Sequence, residues 1–460
     1  MRCWILSGWL LFTLVSARAA GAPGPRLVFA HYMVCFATYG ETVDAYKREI
    51  NEAQAAGIDG FALNIGAWDD IQSYYKKRVA LMYDAAEQLG TGFKLFFSVD
   101  FGEPTNVVQM VKAYGNRAAS LRHNGEIVLS AYGWNDVPSK GWPGMDWTHA
   151  IIGKLEQDGL PIFFIPYFFS DPVRELPSYA SGASILLKYG SLLDGIFWWG
   201  AAGLPPELVQ SNDNYRRAAR DAGKLFMASV APAYWGHKQP GLGRRYYEFD
   251  GGEGMVLQWL ALITNRPDWI EINTWNDFNE STYVAPVEDA GAYFAELKTP
   301  QRSPHAGYLE LSKRYIQWFK TGTEPAIDRD ELFYFYRPHP KDAVATDTND
   351  FPVGWRTGDV QDTLHLTAYL IAPAELQIVS GTNSAFRALP AGMSHVRVPF
   401  VAGSQHFTLR RATYTVLTAE GPAISSKIVN YNFFPVSGFA RSSNARPAAP
   451  ERVQVSGQSN

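Results

Sequence analysis

The sequence predicts an α/β fold followed by an all-β region, and two features of the chain lead to this prediction. Between positions 27 and 275, eight strand-like apolar runs alternate with helix-like segments. Near positions 321–325 the pattern changes to short alternating segments separated by turn residues. Eight strand–helix units fit a (β/α)8 TIM barrel, and short alternating strands fit a sandwich of antiparallel sheets.

The apolar runs give the order of the predicted strands. They are 27–34, 58–65, 93–99, 126–131, 160–165, 195–199, 224–230 and 269–275. Their almost continuous apolar character is typical of parallel strands that are buried on both faces. A doubly wound parallel sheet is the alternative, but no glycine-rich phosphate-binding fingerprint follows the first strand.

Helical periodicity separates most of these strands. The predicted helices are 42–56, 71–89, 106–114, 172–188, 206–222 and 252–263. In the first of them Ile50, Ala53 and Ala56 recur at helical spacing, and Gly57 ends the helix just before the next strand. We therefore expect a barrel domain over residues 20–325.

The second region, 326–439, is predicted to be an all-β domain. Its predicted strands are 332–336, 363–371, 375–379, 395–399, 407–411 and 413–417. It has no cluster of acids with aromatics, so we expect it to pack against the barrel rather than to carry the chemistry. Residues 440–460 have little apolar content and are predicted to be a disordered tail.

The N-terminus has the features of a secretory signal peptide over residues 1–19. Arg2 precedes a short apolar run, and Ala17 and Ala19 fit the small-residue cleavage pattern. The apolar run is too short to span a membrane. We expect an exported protein, extracellular or periplasmic, with no membrane segment after cleavage, and we expect a monomer.

Composition limits the partners. Hydrophobic residues at 47% and charged residues at 19% are typical of a globular protein with a large core. Loss of Arg2 and Arg18 with the signal would take the formal net charge from -4 to -6, which leaves no basic surplus for nucleic acid. Cys35 would then be the single cysteine, and we expect a buried thiol without a disulfide.

Polar and aromatic residues gather at the C-terminal ends of the predicted strands, where α/β barrels build active sites. The eighth strand leads to two carboxylates, Asp277 and Glu280, while Asp100 ends the third strand. The candidate binding residues at these strand ends are His31, Asn64, Asp69, Tyr167, Trp198, Trp199, Trp235, Trp275 and Asn276. Each alone has a structural interpretation, such as a turn or a core residue, but their convergence favours a site.

Acids among aromatic rings, in an exported protein with a neutral substrate, indicate a sugar site. Glycoside cleavage needs one protonated carboxyl and one carboxylate on opposite sides of the bond. Trp198 and Trp199 are adjacent on a strand and point to opposite faces, so at most one faces the barrel axis.

Other chemistries are not indicated. His31, Asp69, Asp70 and His237 lack a recognisable metal-ligand spacing, and we expect neither a metal nor a cofactor. There is no G-x-S-x-G motif for a serine hydrolase. Two further acids, at positions 59 and 271, lie below the strand ends, and we expect them to be paired or hydrogen-bonded structural groups.

Four segments resemble glycoside hydrolase family 71, the α-1,3-glucanases or mutanases. They are residues 29–34 (FAHYMV), 57–66 (GIDGFALNIG), 93–100 (FKLFFSVD) and 274–281 (TWNDFNES). The resemblance spans the barrel, and the β domain fits the C-terminal domain of the family. It implies an inverting enzyme whose catalytic candidates are Asp277 and Glu280. The chain departs from the family pattern at Cys35-Phe36 and Phe278-Asn279.

The leading hypothesis is an endo-acting hydrolase of α-1,3-glucan. The alternatives are a barrel glycosidase of another linkage and an inactive carbohydrate-binding protein. Glu280 is the preferred general acid, since a glutamate begins nearer neutrality than an aspartate and reaches further. Asp277 would then hold water or stabilise developing positive charge, with Asp100 and Asp69 as candidate bases.

Overall fold

The structure is a computed structural model that describes residues 25–138, 144–170, 174, 176–236, 244–287, 304–343, 353–427 and 435–443. The predicted signal peptide, His237 and most of the predicted tail lie outside the described residues. None of the helices in the described ranges combines the length and apolar character needed to cross a bilayer.

Strands and helices alternate through the first part of the chain, as the sequence predicts. Its strands are β1 (Leu27–Met33), β2 (Gly60–Ile65), β3 (Lys94–Val99), β4 (Arg122–His123), β5 (Glu126–Ala131), β6 (Ile162–Phe164), β7 (Gly195–Phe197), β8 (Leu225–Val230), β9 (Tyr234–Trp235), β10 (Arg244–Tyr247) and β11 (Trp269–Ile272). Its helices are α1 (Val43–Ala55), α2 (Tyr74–Leu89), α3 (Pro104–Tyr114), α4 (Gly153–Gln157), α5 (Tyr179–Tyr189), α6 (Pro205–Asp221), α7 (Gly252–Asn265) and α8 (Ala306–Thr321). A π-helical turn, Trp147–Ile152, leads directly into α4.

Eight of these strands form one parallel sheet in the order β6, β5, β3, β2, β1, β11, β8, β7. Strand β1 pairs with β2 on one side and with β11, the last strand, on the other. The sheet curls until its end strands come into contact: Asp194 N–H donates to Phe164 O at 3.0 Å and Phe197 N–H to Pro166 O at 3.1 Å. The predicted α/β fold with a parallel sheet is confirmed, and all eight C-terminal strand ends share one edge.

The opposite, N-terminal edge of the sheet is tied down by Asp59. Its carboxylate accepts the N–H of Val28 at 2.8 Å and pairs with Lys320 of α8 at 2.7 Å. Gly60, the next residue, lies so close to β3 that an added Cβ would be 2.2 Å from the carbonyl oxygen of Lys94. The structural role expected for Asp59 is therefore confirmed.

Strand β11 ends at Ile272, three residues before the predicted end at position 275. Asn273 N–H still donates to Val230 O on β8 at 2.9 Å, but Thr274 N–H turns to Thr282 O at 2.7 Å. The chain folds back on itself from this point, so the side chains of the following loop no longer alternate as they would on a strand.

Two helices also differ from the prediction. Helix α5 begins at Tyr179 rather than at position 172, because Ser178 caps it by accepting Ser181 N–H at 3.2 Å. Helix α8 was not predicted from its periodicity. It follows β11 and is the helix of the last strand–helix unit.

The remainder of the described chain consists of strands that pair mainly antiparallel, which confirms the predicted all-β region. Its strands are β12 (Glu331–Tyr336), β13 (Val353–Thr357), β14 (Thr363–Leu370), β15 (Ala374–Ser380), β16 (Asn383–Leu389), β17 (Gly392–Pro399), β18 (Gly403–Arg411), β19 (Tyr414–Ile424) and β20 (Val436–Arg441). Two four-stranded sheets, β17-β14-β12-β20 and β16-β15-β18-β19, share one buried core. Strand β13 instead pairs with β10, and these two strands form a small third sheet with β9.

The two parts of the chain are packed together at several points. Phe333 and Phe335 of β12 belong to the main core of the parallel sheet and its helices. The hydroxyls of Tyr315 and Tyr369 lie 2.8 Å apart. The imidazole of His305 lies 2.8 Å from the carbonyl oxygen of Tyr283 and 2.7 Å from that of Pro435. This packing joins the antiparallel sheets to the side of the molecule where β11 ends.

Candidate active site

The loop after β11 is a compact turn that carries both acids. Thr274 Oγ1 accepts the N–H of Asp277 at 2.7 Å, and Asp277 Oδ1 accepts the N–H of Glu280 at 3.1 Å. Asp277 is 6% exposed and Glu280 is half-buried. The turn therefore fixes the two carboxylates relative to each other and leaves Glu280 the more accessible.

The side chains of Asn276 and Trp275, both predicted to bind substrate, are fully buried and engaged with the chain itself. Asn276 accepts the N–H of Met33 at 2.7 Å and donates to Met33 O at 3.2 Å, which clamps the loop to the end of β1. Trp275 points to the helices instead, where its Nε1 donates to Glu49 Oε2 at 2.7 Å. Both contacts hold the acid-bearing loop in place.

Glu49 is a residue that the sequence analysis did not select. It lies on the buried face of α1 with Tyr46 and Ile50, a position that helical spacing could have revealed. Burial raises the pKa of Glu49 to about 7, against hydrogen bonds from Thr38, Trp275 and Tyr32 that lower it. The native state thus holds this proton more tightly than the unfolded chain does, and its stability contribution grows as pH falls through about 7.

Replacing Glu49 by alanine should lower the free energy of unfolding by about 2–4 kcal/mol, because Trp275 Nε1 and Tyr32 Oη lose their acceptor in the core. Chemical denaturation measures this change. The control is Glu52→Ala on the same helix, whose half-buried carboxylate pairs with Tyr39 and Arg48 and should matter less. Equal stability of the two variants would contradict the anchoring role.

Glu280 is linked to the small third sheet. Tyr234 Oη donates to Glu280 Oε1 at 3.1 Å, and Arg245 Nη2 donates to the same tyrosine oxygen at 3.1 Å. The N–H of Trp235 donates to the main-chain oxygen of Glu280 at 3.0 Å. Trp235, a predicted sugar platform, is fully buried and acts here through its backbone. Arg245 was missed because it comes from the long segment between β9 and α7, which has no sequence pattern of its own.

His31 lies inside the curled sheet, with its Nδ1 2.8 Å from Glu271 Oε1 and both side chains buried. The ring of Phe197 stacks on His31 at 6.5 Å, and the ring of Trp199 meets it edge-on at 4.5 Å. Burial raises the pKa of Glu271, while His31 lowers it. The hydrogen-bonded role expected for Glu271 is confirmed, and His31 is its partner.

Asp100 follows β3 at the same edge. Asn64 Nδ2 approaches its Oδ2 at 3.5 Å from the neighbouring strand. Burial raises the pKa of Asp100 to about 6, whereas Asn64 and the charge of His31 lower it. A carboxyl that titrates near this pH can exchange a proton under mild conditions, which is the property that a general base or acid requires.

The thiol of Cys35 is influenced by the charges of both Asp277 and Asp100. Burial raises the pKa of the half-buried Cys35 thiol to about 12, and the negative charge of Asp277 is the next cause. Asp100 acts in the same direction on this thiol. Carboxylates from β3 and from the loop after β11 thus both act on this thiol, which remains protonated and is no nucleophile.

Asp69, the other candidate base, is occupied in a turn. Its Oδ1 accepts the N–H of Gln72 at 2.8 Å. The neighbouring Asp70 is exposed and pairs with Lys76 at 2.8 Å. Of these two adjacent acids, Asp69 therefore stabilises a turn and Asp70 forms a surface ion pair.

Aromatic rings line the interior next to His31. Tyr132 contacts Tyr167 at 5.5 Å and Trp199 at 5.6 Å between ring centroids, each edge-to-face. Trp199 is partly exposed, whereas Trp198 is fully buried. Trp199 contacts His31 inside the curled sheet, and it stays a prediction that at most one of the two tryptophans faces the barrel axis.

Carboxylates from two strand ends, with aromatic rings at the same edge of a curled parallel sheet, define the class of this protein as a glycoside hydrolase. The model of glycosyl hydrolase family 71 matches residues 24–449, and the chain belongs to that family. The resemblance seen in the four sequence segments is confirmed.

Curated relatives cover nearly the whole chain. The glucan endo-1,3-alpha-glucosidase agn1 of Schizosaccharomyces pombe is 30% identical over 446 residues, which are 93% of this chain and 98% of the relative. A mutanase of Penicillium rubens is 29% identical over 423 residues, 89% of this chain and 87% of the relative. An ascus wall endo-1,3-alpha-glucanase of Schizosaccharomyces pombe is 24% identical over 436 residues, 89% of this chain and 96% of the relative.

Among solved structures, the GH99 endo-alpha-mannosidase of Bacteroides thetaiotaomicron is similar with a TM-score of 0.47 and 16% sequence identity. The similarity covers 64% of this chain and 97% of the mannosidase.

Proposed function

We propose that the protein is an exported, endo-acting hydrolase of α-1,3-glucan that inverts the configuration at the cleaved carbon. The observation that carries the proposal is the turn after β11, which holds Asp277 and Glu280 together in a member of family 71. Relatives whose names specify cleavage of 1,3-alpha-glucan support the linkage. The signal-like segment at residues 1–19 supports export.

Glu280 is the proposed general acid. It is the more exposed of the two acids in the turn, so a glycosidic oxygen can approach it. Tyr234 Oη, 3.1 Å away, donates to the carboxylate, and a tyrosine oxygen can also accept a hydrogen bond from a protonated acid. Arg245 holds the tyrosine hydroxyl in position through both states.

Asp100 is the proposed general base, which takes a proton from the attacking water. Its raised pKa would let it accept that proton, and the effect of both Asp100 and Asp277 on the Cys35 thiol supports a shared site. Asp277 would then hold the water or stabilise positive charge on the sugar. Inversion requires about 6.5–9.5 Å between the acid and the base, so that water fits between base and sugar. Asp69 is the second candidate for the base.

Substrate contacts are proposed along the aromatic rings and polar groups next to these acids. Trp199 and Tyr167 would stack on sugar rings, and Asn64 would bind hydroxyls. His31 would act on the substrate indirectly, through its ring contact with Trp199. Trp198, Trp235, Trp275 and Asn276 would support the site from behind.

We infer two further features of the architecture. Contact between β6 and β7 supports closure of the sheet into a complete (β/α)8 barrel. The shared core of the two antiparallel sheets supports a sandwich domain that stabilises the barrel. The protein is proposed to work as a monomer on its polysaccharide.

The proposal is tested by a screen of reducing-sugar release on α-1,3-, α-1,4-, α-1,6- and β-linked glucans and on mannans. We expect release from α-1,3-glucan alone, with oligosaccharide products that indicate internal cleavage. Proton NMR of the fresh product should show the β-anomer first, because inversion of an α-linkage gives β.

Three outcomes of these experiments would contradict the proposal. Release only from another polymer would exclude the linkage. Binding of glucan without release would favour the carbohydrate-binding alternative. An α-anomer as first product would exclude inversion.

A further inference from the structure

A cavity of about 630 Å³ lies at the junction of the two parts of the chain. None of the candidate active-site residues lines it. The parallel-sheet part contributes the segment from Glu248 to Glu253, between β10 and the start of α7. The antiparallel part contributes His365 from β14 and Arg397 from β17. A dense group of ionisable side chains therefore lies at the junction, away from the proposed catalytic acids.

Three of these side chains have the spacing of ligands around one ion. Glu248, Asp250 and His365 each place one oxygen or nitrogen atom within 4.8 Å of the others. Metal–ligand bonds of about 2.0–2.4 Å on either side of an ion give separations of this size. The three come from two different parts of the chain, so the fold and not local sequence brings them together.

The second observation is the state of His365. Only 7% of the residue is exposed, and its Nδ1 has no hydrogen-bond partner. The nearest acid, Glu253 Oε1, is 3.7 Å from this nitrogen, beyond hydrogen-bond distance. Buried polar atoms without partners are rare, and a bound ion or water is a common explanation.

Local hydrogen bonds and a close approach of the backbone hold Glu248 and Asp250 near this histidine. Glu248 Oε1 accepts the N–H of Asp250 at 3.0 Å, and its Oε2 accepts the hydroxyl of Tyr246 at 3.3 Å. Gly251 follows with φ +58°, and an added Cβ would lie 2.6 Å from the Cβ of His365. A glycine is therefore needed for the acidic segment to approach β14.

Arg397 is the cation that competes for these acids, and its partner is mainly Glu253. The guanidinium makes two hydrogen bonds to Glu253, at 2.8 and 2.9 Å, and reaches Asp250 only at 3.4 Å. Glu253 is thus the main partner of Arg397, and the contact of this arginine with Asp250 is the longer one.

We propose that Glu248, Asp250 and His365 bind one divalent first-row transition ion, with Zn²⁺ as the fitting representative. An imidazole nitrogen with carboxylates suits zinc, whereas Ca²⁺ and Mg²⁺ favour sites made of oxygen alone. Water from the open cavity fills the remaining position. The ion fastens the β10–α7 segment to β14, so its role is to hold the antiparallel sheets against the parallel-sheet part. This site differs from the residues considered in the sequence, where no metal was expected.

The test uses the full-length protein, stripped with EDTA, desalted and then incubated with zinc chloride or calcium chloride. After removal of free metal, elemental analysis should find one zinc per chain and no stoichiometric calcium. The melting temperature should rise as zinc is added, since an ion that binds only the native state stabilises it. No retained zinc, or no shift of the melting temperature, overturns the proposal.

Variants locate the ion. Glu248→Gln and His365→Gln should reduce the bound zinc from one per chain to near zero and remove the zinc-dependent shift. His406→Gln is the matched control, because this partly exposed histidine of β18 lies on the other antiparallel sheet and pairs with Glu420. Should His365→Gln fail to fold, Asp250→Asn at a half-buried position provides the same measurement. Equal zinc binding by the control and by all site variants overturns the assignment.

Discussion

Glu280→Gln should lower kcat on α-1,3-glucan by about 10²–10⁴-fold, the usual contribution of a general acid. Glutamine keeps the size of the side chain and its contact with Tyr234 but cannot give a proton to the leaving oxygen. On an α-glycosyl fluoride of the same oligosaccharide the variant should retain most of its activity, because fluoride leaves without a proton. Initial rates on the two substrates measure the difference.

Asp277→Asn separates the two acids of the turn. If Asp277 holds water or stabilises charge, this variant should lose activity on the glucan and on the fluoride alike. The surface variant Glu156→Gln is the control and should resemble the parent on both substrates, since that side chain is exposed on α4. Circular dichroism verifies the fold of each variant. A Glu280→Gln enzyme impaired equally on both substrates would remove Glu280 from the role of acid.

The position of the acids along the chain was predictable because it depends on local pattern. Apolar runs such as 93–99 mark strands, and parallel strands place their C-terminal ends at one edge. Asp100, Asp277 and Glu280 follow such runs, so they could be selected as neighbours without coordinates. The opposite directions expected for Trp198 and Trp199 rest on strand alternation, but β7 ends at Phe197 and both residues follow it.

The direction of the loop side chains was not predictable in this way. Once β11 ends at Ile272, the turn is fixed by hydrogen bonds such as Thr274 N–H to Thr282 O, and the alternation of a strand no longer applies. Trp275 therefore points to Glu49 and Asn276 to Met33, contacts that link positions more than two hundred residues apart. Pairings at such separation follow from the assembled fold and leave no local signal.

The same limit explains the residues that were missed. Arg245 supports Tyr234 from a segment that joins two regions through the small β9-β10-β13 sheet. That sheet depends on β13, which comes from beyond the predicted domain boundary at 325/326. A contact between two regions cannot be read from the pattern of either one alone.

Asp100→Ala should lower kcat by about 10²–10⁴-fold on the glucan and on the fluoride alike, because the base is needed whichever group leaves. Added azide should restore part of the rate by entering the space of the missing carboxylate and attacking the sugar. The product is then the β-glycosyl azide, which NMR identifies. The matched control is Asp69→Ala, whose carboxylate caps a turn and whose loss should be neither severe nor rescued by azide.

The pH profile of the parent enzyme provides the second measurement of this role. Burial raises the pKa of Asp100 to about 6, and a general base must be ionised in the free enzyme to accept a proton. The value of kcat/KM should therefore fall about tenfold per pH unit below that pH, while the alkaline side of the profile is set by the general acid, which must keep its proton. Asn64→Ala removes a contact that lowers the pKa of Asp100, so the midpoint should move upward. A midpoint unchanged in Asn64→Ala, or an Asp100→Ala enzyme with near-parent turnover, would assign the base to another carboxylate, of which Asp69 is the second candidate.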